Sequence, residues 1–249
     1  MRAKFLIPLL ALACRAVCAG EWTLCVDSND WAVFTYPDHD GSLQTLVRSA
    51  AARQGGVVRY VSYPWRRCEL MAEKGEVDGL LAEPWTKLSR DRFAFPLSAG
   101  KGDPRRAVAQ VDLVFLQRAG GGASWDGKAL RGLIGRVAFV QGYSEMGSAL
   151  DALGIPNRDD YKSDMLDVRA LLAGRNNVIA TYAESADVLT AMPDLSGRLV
   201  RLGPPFARLP YYLAFGKGTY QVRRDEIEAL WRQIADTRRG GGYAGSGLR

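Results

Sequence analysis

The first eighty residues alternate short apolar runs with amphipathic segments. Three runs have the length and the apolar spacing of strands: Trp22–Asp27, Val57–Val61 and Val77–Ala82. The segments between them carry apolar residues three and four positions apart, and they end at Gly55-Gly56 and at Gly75, as helices often do. Because strands and helices alternate in this order, the pattern predicts a parallel sheet with right-handed crossovers.

The remainder of the chain repeats this alternation. The pattern predicts strands at Val111–Leu116, Val137–Val140, Asn177–Thr181, Leu199–Leu202 and Tyr211–Phe215. It predicts helices over residues 144–153, 165–172, 182–192 and 227–234, and a short helical segment at Trp125–Leu133. The fold class is therefore α/β, with mainly parallel sheets flanked by helices.

The carboxyl ends of the first three predicted strands are rich in aromatic residues and arginines. In parallel sheets ligands bind at these ends, which here fall within residues 27–36, 62–65 and 83–92. The segment YPWRRCELMAEKGEVDGLLAEPWTKLSRDR, residues 63–92, surrounds two of the ends with Trp65, Trp85, Arg90 and Arg92. The sequence thus predicts a ligand site at this edge of the sheet.

Residues 1–20 have the features of a cleaved export signal. Arg2 and Lys4 precede an apolar run that ends at Cys14, and Val17-Cys18-Ala19 fits the small-residue cleavage rule. The mature chain then begins at Gly20 or Glu21. A membrane anchor is a weaker alternative because it needs about 20 apolar residues. A buried first strand and a lipoprotein cleavage before Cys14 are also weaker, so we expect an exported protein.

The net charge does not indicate a nucleic-acid partner. The formal charge is +6, and removal of the three basic residues of the signal leaves 30 basic against 27 acidic residues, or +3. DNA- and RNA-binding domains are usually more basic than this, so we expect no nucleic acid.

The cysteine and histidine content excludes several kinds of site. Outside the signal only Cys25 and Cys68 remain, and in an oxidising compartment such a pair is more often bonded than free. Two unrelated buried thiols are the alternative. The only histidine, His39, lies in a predicted turn, which leaves no metal-ligand cluster and no Ser–His–Asp set. A phosphate-binding loop motif is also lacking, so we expect no metal, no cofactor and no catalytic residue.

Six weak motifs follow one another along the mature chain: CVDSNDWAVFTY, YPWRRCELMAEKGEVDGLLA, SRDRFAFP, LRGLIGRVAFVQGYS, LLAGRNNVIATYAES and YYLAFGKG. Their order resembles that of the periplasmic solute-binding proteins of amino-acid-type ABC transporters (extracellular solute-binding protein family 3), as a divergent branch. The resemblance implies a type II fold, in which two α/β lobes joined by two crossover strands close on a ligand. Lobe 1 would hold residues 21–109 and 213–249, and lobe 2 residues 110–212. The crossovers would lie near Gln110-Val111 and Leu213-Ala214.

The resemblance also implies ligand-binding aromatic residues in lobe 1. The family stacks rings on the ligand after the first and second strands, which Trp31 and Trp65 match. We assign the neighbouring Phe34 to the core. Asp27, at the end of the first strand, is a further candidate. Trp85 replaces a residue that is usually small or polar in the family, and it would narrow the pocket.

A carboxylate-binding arginine is the second implication for lobe 1. The family places it in a loop of the form T/S-x-x-R ahead of F-S/P. Here Thr86-Lys87-Leu88-Ser89-Arg90 precedes Phe95-Pro96, so we assign it to Arg90. A guanidinium binds a carboxylate through two parallel hydrogen bonds, which lysine cannot do. Arg92 is the competing assignment, and a solvated surface arginine is the third possibility.

In lobe 2 the resemblance implies contacts after two strands. Gln141, Gly142 and Ser144 open a helix, whose free amide groups would favour an anion. Tyr182 stands where the family has an aspartate that binds the ligand's amine. Glu184, two residues later, could replace that aspartate.

These features together predict a periplasmic protein that binds a small polar solute, an amino acid or a related carboxylate or amine. It would close two lobes on the solute and deliver it, as a monomer, to an ABC permease in the inner membrane. It would not be an enzyme. The alternatives are a sensing protein that acts with a separate receptor, and a small enzyme that uses Glu83 or Glu184 as acid or base.

Overall fold

The computed structural model describes residues 20–31 and 33–240. Apart from Gly20, the predicted export signal lies outside the described residues, and so does the glycine-rich tail from residue 241 onward. Among the described residues, no helix combines the length and the apolar character that a membrane span requires.

Strands and helices alternate along the described chain. The strands are β1 (Glu21–Asp27), β2 (Val57–Tyr63), β3 (Gly79–Pro84), β4 (Phe93–Ala94), β5 (Leu97–Ser98), β6 (Lys101–Gly102), β7 (Ala109–Arg118), β8 (Ser124–Trp125), β9 (Leu130–Arg131), β10 (Val137–Val140), β11 (Asn157–Tyr161), β12 (Ile179–Tyr182) and β13 (Leu199–Gly216). The helices are α1 (Ser42–Ala52), α2 (Trp65–Lys74), α3 (Lys87–Arg92), α4 (Ser144–Ala152), α5 (Asp164–Leu172), α6 (Ala183–Ala191), α7 (Lys217–Val222) and α8 (Arg224–Arg239).

One mixed sheet organises the fold. Its strand order is β11-β10-β12-β7-β13-β3-β1-β2, and β4 also pairs with β13. Strand β1 pairs in parallel with β2 and β3, and β10 pairs in parallel with β11 and β12. The long strands β7 and β13 run antiparallel to each other in the middle. We call β1, β2 and β3 with their helices the first side, and β10, β11 and β12 with theirs the second side.

The predicted crossover positions lie in β7 and β13. Strand β13 pairs with β7 as far as Tyr211, which lies opposite Ala109, and from there onward it pairs with β3. Both strands therefore connect the first side with the second. The division into two lobes, with boundaries at residues 109 and 213, stays a prediction because the sheet continues through these strands.

The helices bury one apolar face each against the sheet. Helix α1 buries a face with helical spacing that contains Leu43, Leu46, Val47, Ala50 and Ala51. Helix α8 buries Ile227, Leu230, Trp231 and Ile234 in the same way. The indole N–H of Trp231 donates to the carbonyl oxygen of Leu213 at 2.7 Å, which fixes α8 on β13.

A disulfide joins helix α2 to strand β1. Cys25 and Cys68 are fully buried, and their Cα atoms are 5.6 Å apart. The predicted pairing is confirmed, and the alternative of two unrelated thiols is wrong. The bond holds the first turn of α2, which begins at Trp65, beside the carboxyl end of β1, where Asp27 lies.

Most of the predicted elements are confirmed, with small shifts at their ends, but the predicted helical segment Trp125–Leu133 is wrong. It contains the short antiparallel strands β8 and β9, which a turn with Gly127 at φ +92° connects. The two predicted strands Leu199–Leu202 and Tyr211–Phe215 are parts of one strand, β13, whose register is irregular between Leu202 and Ala207. Strand β11 was missed because its sequence, NRDDY, is polar, as befits an edge strand.

Candidate ligand-binding site

A small cavity lies where the carboxyl ends of the parallel strands of both sides meet. Its volume is about 30 Å³, which leaves room for a few water molecules at most. The cavity is lined by Asp27, Trp31, Thr35, Trp65, Leu81, Ala82, Pro84, Tyr143, Glu145, Tyr182 and Tyr211. Since the first side, the second side and β13 all contribute, the cavity depends on contact between the two sides.

Trp31 is the centre of an aromatic cluster in this cavity. Its ring centroid lies 4.8 Å from that of Phe34, 4.8 Å from that of Tyr182 and 5.2 Å from that of Tyr211. Tyr182 ends β12 on the second side, so the cluster packs the two sides together. The indole N–H of Trp31 is buried and has no hydrogen-bond partner among the described residues.

Asp27 places a carboxyl group at one wall of the cavity. One oxygen, Oδ1, accepts a hydrogen bond from the backbone N–H of Asn29 at 2.9 Å. The other, Oδ2, accepts from the hydroxyl of Tyr143 at 3.3 Å, across the boundary between the two sides. The side chain is 7% exposed, and this burial raises the pKa of Asp27 to about 6, to which nearby Asp164 contributes. The carboxyl group therefore titrates close to neutral pH.

Glu145 places a second carboxyl group at the opposite wall. It is the second residue of α4, it is buried, and its Oε1 accepts hydrogen bonds from the hydroxyls of Tyr182 at 2.6 Å and Tyr211 at 3.2 Å. Burial raises the pKa of Glu145, although these hydroxyls and its own backbone N–H oppose the shift. Two tyrosines thus orient this acid toward the cavity.

A β-bulge in β3 shapes the wall on the first side. Tyr212 pairs with Glu83 and Leu213 with Leu81, so Ala82 is skipped and has a φ of +75°. For a residue other than glycine this conformation costs on the order of 1 kcal/mol or more. The adjacent Glu83 is buried, and its Oε2 has no hydrogen-bond partner among the described residues. Burial, followed by the charges of Glu69 and Glu145, raises the pKa of Glu83 well above its usual range.

A wider cleft of about 590 Å³ shares Asp27 and Trp65 with the small cavity. Two contacts cross it between the sides. The side-chain amide of Asn29 donates to the carbonyl oxygen of Lys162 at 2.9 Å, and the guanidinium of Arg66 lies 3.2 Å from Asp159. Both are exposed, and exposed ion pairs contribute little stability. Over residues 20–31 and 33–240, no group of three potential metal-ligating side chains comes together.

Comparison with known proteins gives matches among solved structures. No protein-family model and no curated protein matches the chain. A histidine kinase sensor domain with similarity to periplasmic binding proteins superposes with a TM-score of 0.70 at 16% identity, covering 90% of this chain and 92% of that chain. The P235GK mutant of ArgBP from T. maritima gives 0.69 at 18% identity, with 90% and 92% covered. The GluR0 ligand-binding core from Nostoc punctiforme, in complex with L-glutamate, gives 0.66 at 16% identity, with 89% and 95% covered.

This chain has the type II periplasmic-binding-protein fold. The predicted fold class is confirmed, and the resemblance inferred from the sequence is confirmed at the level of the fold. Sequence identities this low carry no information about which ligand the chain binds. The residues of its own site are the evidence for that ligand.

Four of the predicted binding residues line the small cavity: Asp27, Trp31, Trp65 and Tyr182. Gln141 lines the wider cleft, whereas Gly142 and Ser144 line a separate groove beside it. The ligand-binding roles of all seven stay predictions.

The two candidate arginines take different positions from those expected of a carboxylate-binding residue. Arg90 is exposed on α3 and is not among the residues that line the small cavity or the wider cleft. Arg92 forms ion pairs with Glu69 at 3.0 Å and Glu73 at 3.1 Å, and it thereby joins α3 to α2. This arrangement does not support a carboxylate grip by Arg90, and it commits Arg92 to another contact.

Trp85 and Glu184 also lie outside the small cavity. Trp85 packs edge-on against Phe95, with ring centroids 5.1 Å apart. Glu184 is buried near the start of α6, where the neighbouring charges that act on its pKa are Asp112, Asp187 and Arg201. The position of Glu184 therefore does not support its replacing an amine-binding aspartate.

The start of α4 does not offer an open anion site. The backbone N–H groups of Tyr143, Ser144 and Met146 donate to the carbonyl oxygens of Val140, Gly142 and Tyr143. The N–H of Glu145 donates to the carboxylate of the same residue. Since these donors are already bonded, the arrangement does not support the predicted anion site.

Sequence reasoning missed Tyr143, Glu145 and Tyr211. Tyr143 follows the predicted strand Val137–Val140 and Tyr211 begins the predicted strand Tyr211–Phe215, so a sequence signal was within reach for these two. After Val137–Val140, the resemblance implied Gln141, Gly142 and Ser144 instead.

Proposed function

We propose that the protein binds a small polar solute between two lobes and closes over it by a hinge motion. The lobes are residues 21–109 with 213–249, and residues 110–212. The observation that carries this proposal is the small cavity at which Asp27 and Trp31 of the first side meet Tyr143 and Glu145 of the second. A site divided between two bodies is complete only when they approach, so ligand binding and closure are coupled.

We further propose a location and a receiver for the solute. The signal-like residues 1–20 support export to the periplasm, where the monomeric protein would deliver its solute to an ABC permease of the inner membrane. Sensing is the second candidate, and the likeness in fold to a histidine kinase sensor domain favours it. Catalysis is less favoured because the two acids at the cavity both accept hydrogen bonds from tyrosine hydroxyls.

Thermal unfolding against a panel of solutes tests the binding function. The panel holds amino acids, amines, carboxylates and short peptides. A solute at 100 times its dissociation constant adds about 2.7 kcal/mol of stability, which raises the unfolding midpoint by several degrees. Small-angle X-ray scattering of the same samples should show a smaller radius of gyration with the bound solute. If no solute raises the midpoint or changes the radius, the binding function is overturned.

A pull-down from solubilised inner membranes, with and without the bound solute, separates delivery from sensing. A transporter permease that is retained only with solute supports delivery. A receptor with a kinase domain supports sensing in its place.

A further inference from the structure

We propose that the solute is a small organic cation, an amine or a quaternary ammonium compound, held between the carboxyl groups of Asp27 and Glu145 against the rings of the small cavity. This inference rests on the proposed binding function and names its ligand class. It departs from the carboxylate-binding arginine that the sequence predicted.

The small cavity is lined by acidic residues and not by basic ones. Its eleven lining residues include two acids, Asp27 and Glu145, and no lysine, arginine or histidine. The buried Glu83 adds a third acid, whose pKa is raised by burial and then by the charges of Glu69 and Glu145. The charges that act most strongly on the Tyr143 hydroxyl are those of Asp27, Asp164 and Glu145. A cation would neutralise this concentration of buried acids, whereas an anion would add to it.

Most of the groups near the cavity that could hold an anion are engaged elsewhere. The first N–H groups of α4 are bonded to carbonyl oxygens and to the carboxylate of Glu145. Arg92 is paired with Glu69 and Glu73, and Arg66, at the wider cleft, is paired with Asp159. A carboxylate in the small cavity would therefore have no positively charged partner among the lining residues. At the wider cleft it could pair with Lys162, but not with Arg66 unless the ion pair to Asp159 breaks.

The aromatic residues suit an organic cation. Trp31, Tyr182 and Tyr211 bring three rings within about 6 Å of one another, at centroid distances of 4.8, 5.2 and 6.1 Å. Cations bind to the faces of such rings, with Trp the most favourable, and the gain increases when water is excluded. Because Glu145 accepts hydrogen bonds from both tyrosine hydroxyls, it holds these two rings beside its own negative charge.

The cavity shows which contact the cation would replace. At about 30 Å³ it is too small for an organic ligand. The bond from Tyr143 to Asp27 joins the facing walls, and a ligand ammonium could take it over directly, because an ammonium and a hydroxyl both donate to the carboxylate. The rest of the ligand would extend past Asp27 and Trp65 into the wider cleft of about 590 Å³.

Isothermal titration calorimetry with matched ligand pairs tests the ligand class. The pairs are choline with its neutral tert-butyl isostere, putrescine with succinate, and agmatine with arginine, which differs from agmatine by a carboxylate. We expect at least one of the three cations without a carboxylate to bind, and choline or putrescine to bind roughly 100-fold tighter than its neutral or anionic counterpart. Potassium chloride at equal ionic strength controls for an effect of inorganic cations, and equal heat from it would overturn the proposal.

Charge-removing variants test the residues. Glu145→Gln and Asp27→Asn keep the shape of each side chain, and each should weaken binding of the cation about tenfold or more. Glu184→Gln is the matched control, because Glu184 is also a buried second residue of a helix but lies outside the cavity. Its affinity should equal that of the wild type. Circular dichroism and the unfolding midpoint establish that each variant is folded. If one of the two cavity variants does not fold, the other one still tests the proposal.

The possible outcomes separate this inference from the function on which it rests. If succinate or arginine binds and the cations that lack a carboxylate do not, the ligand class is wrong and the binding function stands. If the cations bind equally well to both folded cavity variants, the residue assignment is wrong. If no member of this set or of the wider solute panel binds, the binding function is overturned together with the inference.

Discussion

The hydroxyl of Tyr143 donates to Oδ2 of Asp27 over 3.3 Å, and this bond spans the two sides of the sheet. Tyr143 follows β10 on the second side, and Asp27 ends β1 on the first. The two contacts across the wider cleft, Asn29 with Lys162 and Arg66 with Asp159, are exposed, whereas Asp27 is buried. The bond therefore links the position of the two sides to the protonation and occupancy of one carboxyl group.

Removal of the Tyr143 hydroxyl should make the two sides separate more readily. In Tyr143→Phe the ring can keep its packing on Tyr182, with centroids 5.5 Å apart, but the bond to Asp27 is lost. Small-angle X-ray scattering without added solute should give a larger radius of gyration than for the wild type. Tyr161→Phe, on the edge strand β11, is the control and should leave the radius unchanged. An unchanged radius for Tyr143→Phe would show that the bond does not hold the sides together.

Binding of an organic cation should strengthen as the pH rises from about 5 to about 7.5. The pKa of Asp27 is raised to about 6, chiefly by burial, so below that pH the ligand has to displace a proton. The affinity should then fall by up to about tenfold for each pH unit below the pKa. Glu145 and Glu83, whose pKa values are also raised by burial, act in the same direction.

Calorimetry in buffers of different ionisation enthalpy measures both this pH dependence and the protons released on binding. Asp27→Asn should flatten the profile near pH 6. An affinity that is constant or decreases with pH would contradict the participation of a carboxylate.

The sequence could predict those site residues that lie at the end of a strand or shortly after it. Asp27 ends β1, and Trp31 and Trp65 follow β1 and β2, so the alternation of elements alone places these residues at one edge of a parallel sheet. Glu145 is different, because its burial depends on hydroxyls from Tyr182 and Tyr211, which are 37 and 66 residues away. Sequence spacing contains no information about such an encounter.

The arginines illustrate the same limit. The segment after β3 was predicted as a loop, but Thr86 and Ser89 form a capping box that starts the short helix α3. The helix exposes Arg90 and directs Arg92 toward α2. A motif taken from a family does not show that a helix has replaced the loop at this position.

Substitution of Arg92 should lower the stability of the fold, whereas substitution of Arg90 should change neither the stability nor solute binding. Arg92 bonds to Glu69 and, through two nitrogens, to Glu73. Because Glu69 is mostly buried, Arg92→Ala leaves its charge unpaired and should cost about 1–2 kcal/mol of unfolding free energy. Arg90→Ala, two residues away and exposed, is the control, and its change should stay within about 0.5 kcal/mol. Urea denaturation measures both, and weaker solute binding by Arg90→Ala would restore the carboxylate grip predicted from the sequence.

The disulfide should stabilise the first side of the sheet. Cys25 and Cys68 are 43 residues apart, and closing a loop of this length restricts the unfolded chain enough to contribute about 2–4 kcal/mol. The double variant Cys25→Ala, Cys68→Ala should lose this amount in urea denaturation. It should also bind solute more weakly, because the disulfide holds the start of α2 and Trp65 beside Asp27. Equal stability of the oxidised wild type and the double variant would contradict this.

Asp167 should destabilise the fold increasingly as the pH rises. It is 1% exposed, and neither carboxyl oxygen has a hydrogen-bond partner among the described residues. Burial, with Asp164 and Asp160 nearby and Arg158 opposing, raises its pKa to about 8 from the ordinary value of 3.8. Between these values the folded state holds a proton that the unfolded state has released, so the free energy of unfolding decreases as the pH rises.

The variant Asp167→Asn cannot ionise and should escape this loss. Relative to the wild type, its free energy of unfolding should increase by about 2–4 kcal/mol between about pH 5 and about pH 8. Urea denaturation at the two pH values measures the difference. Glu76→Gln removes an exposed carboxylate instead and should show the same pH dependence as the wild type. If Asp167→Asn also follows the wild type at both pH values, Asp167 is ionised in the folded protein and has found a partner or solvent.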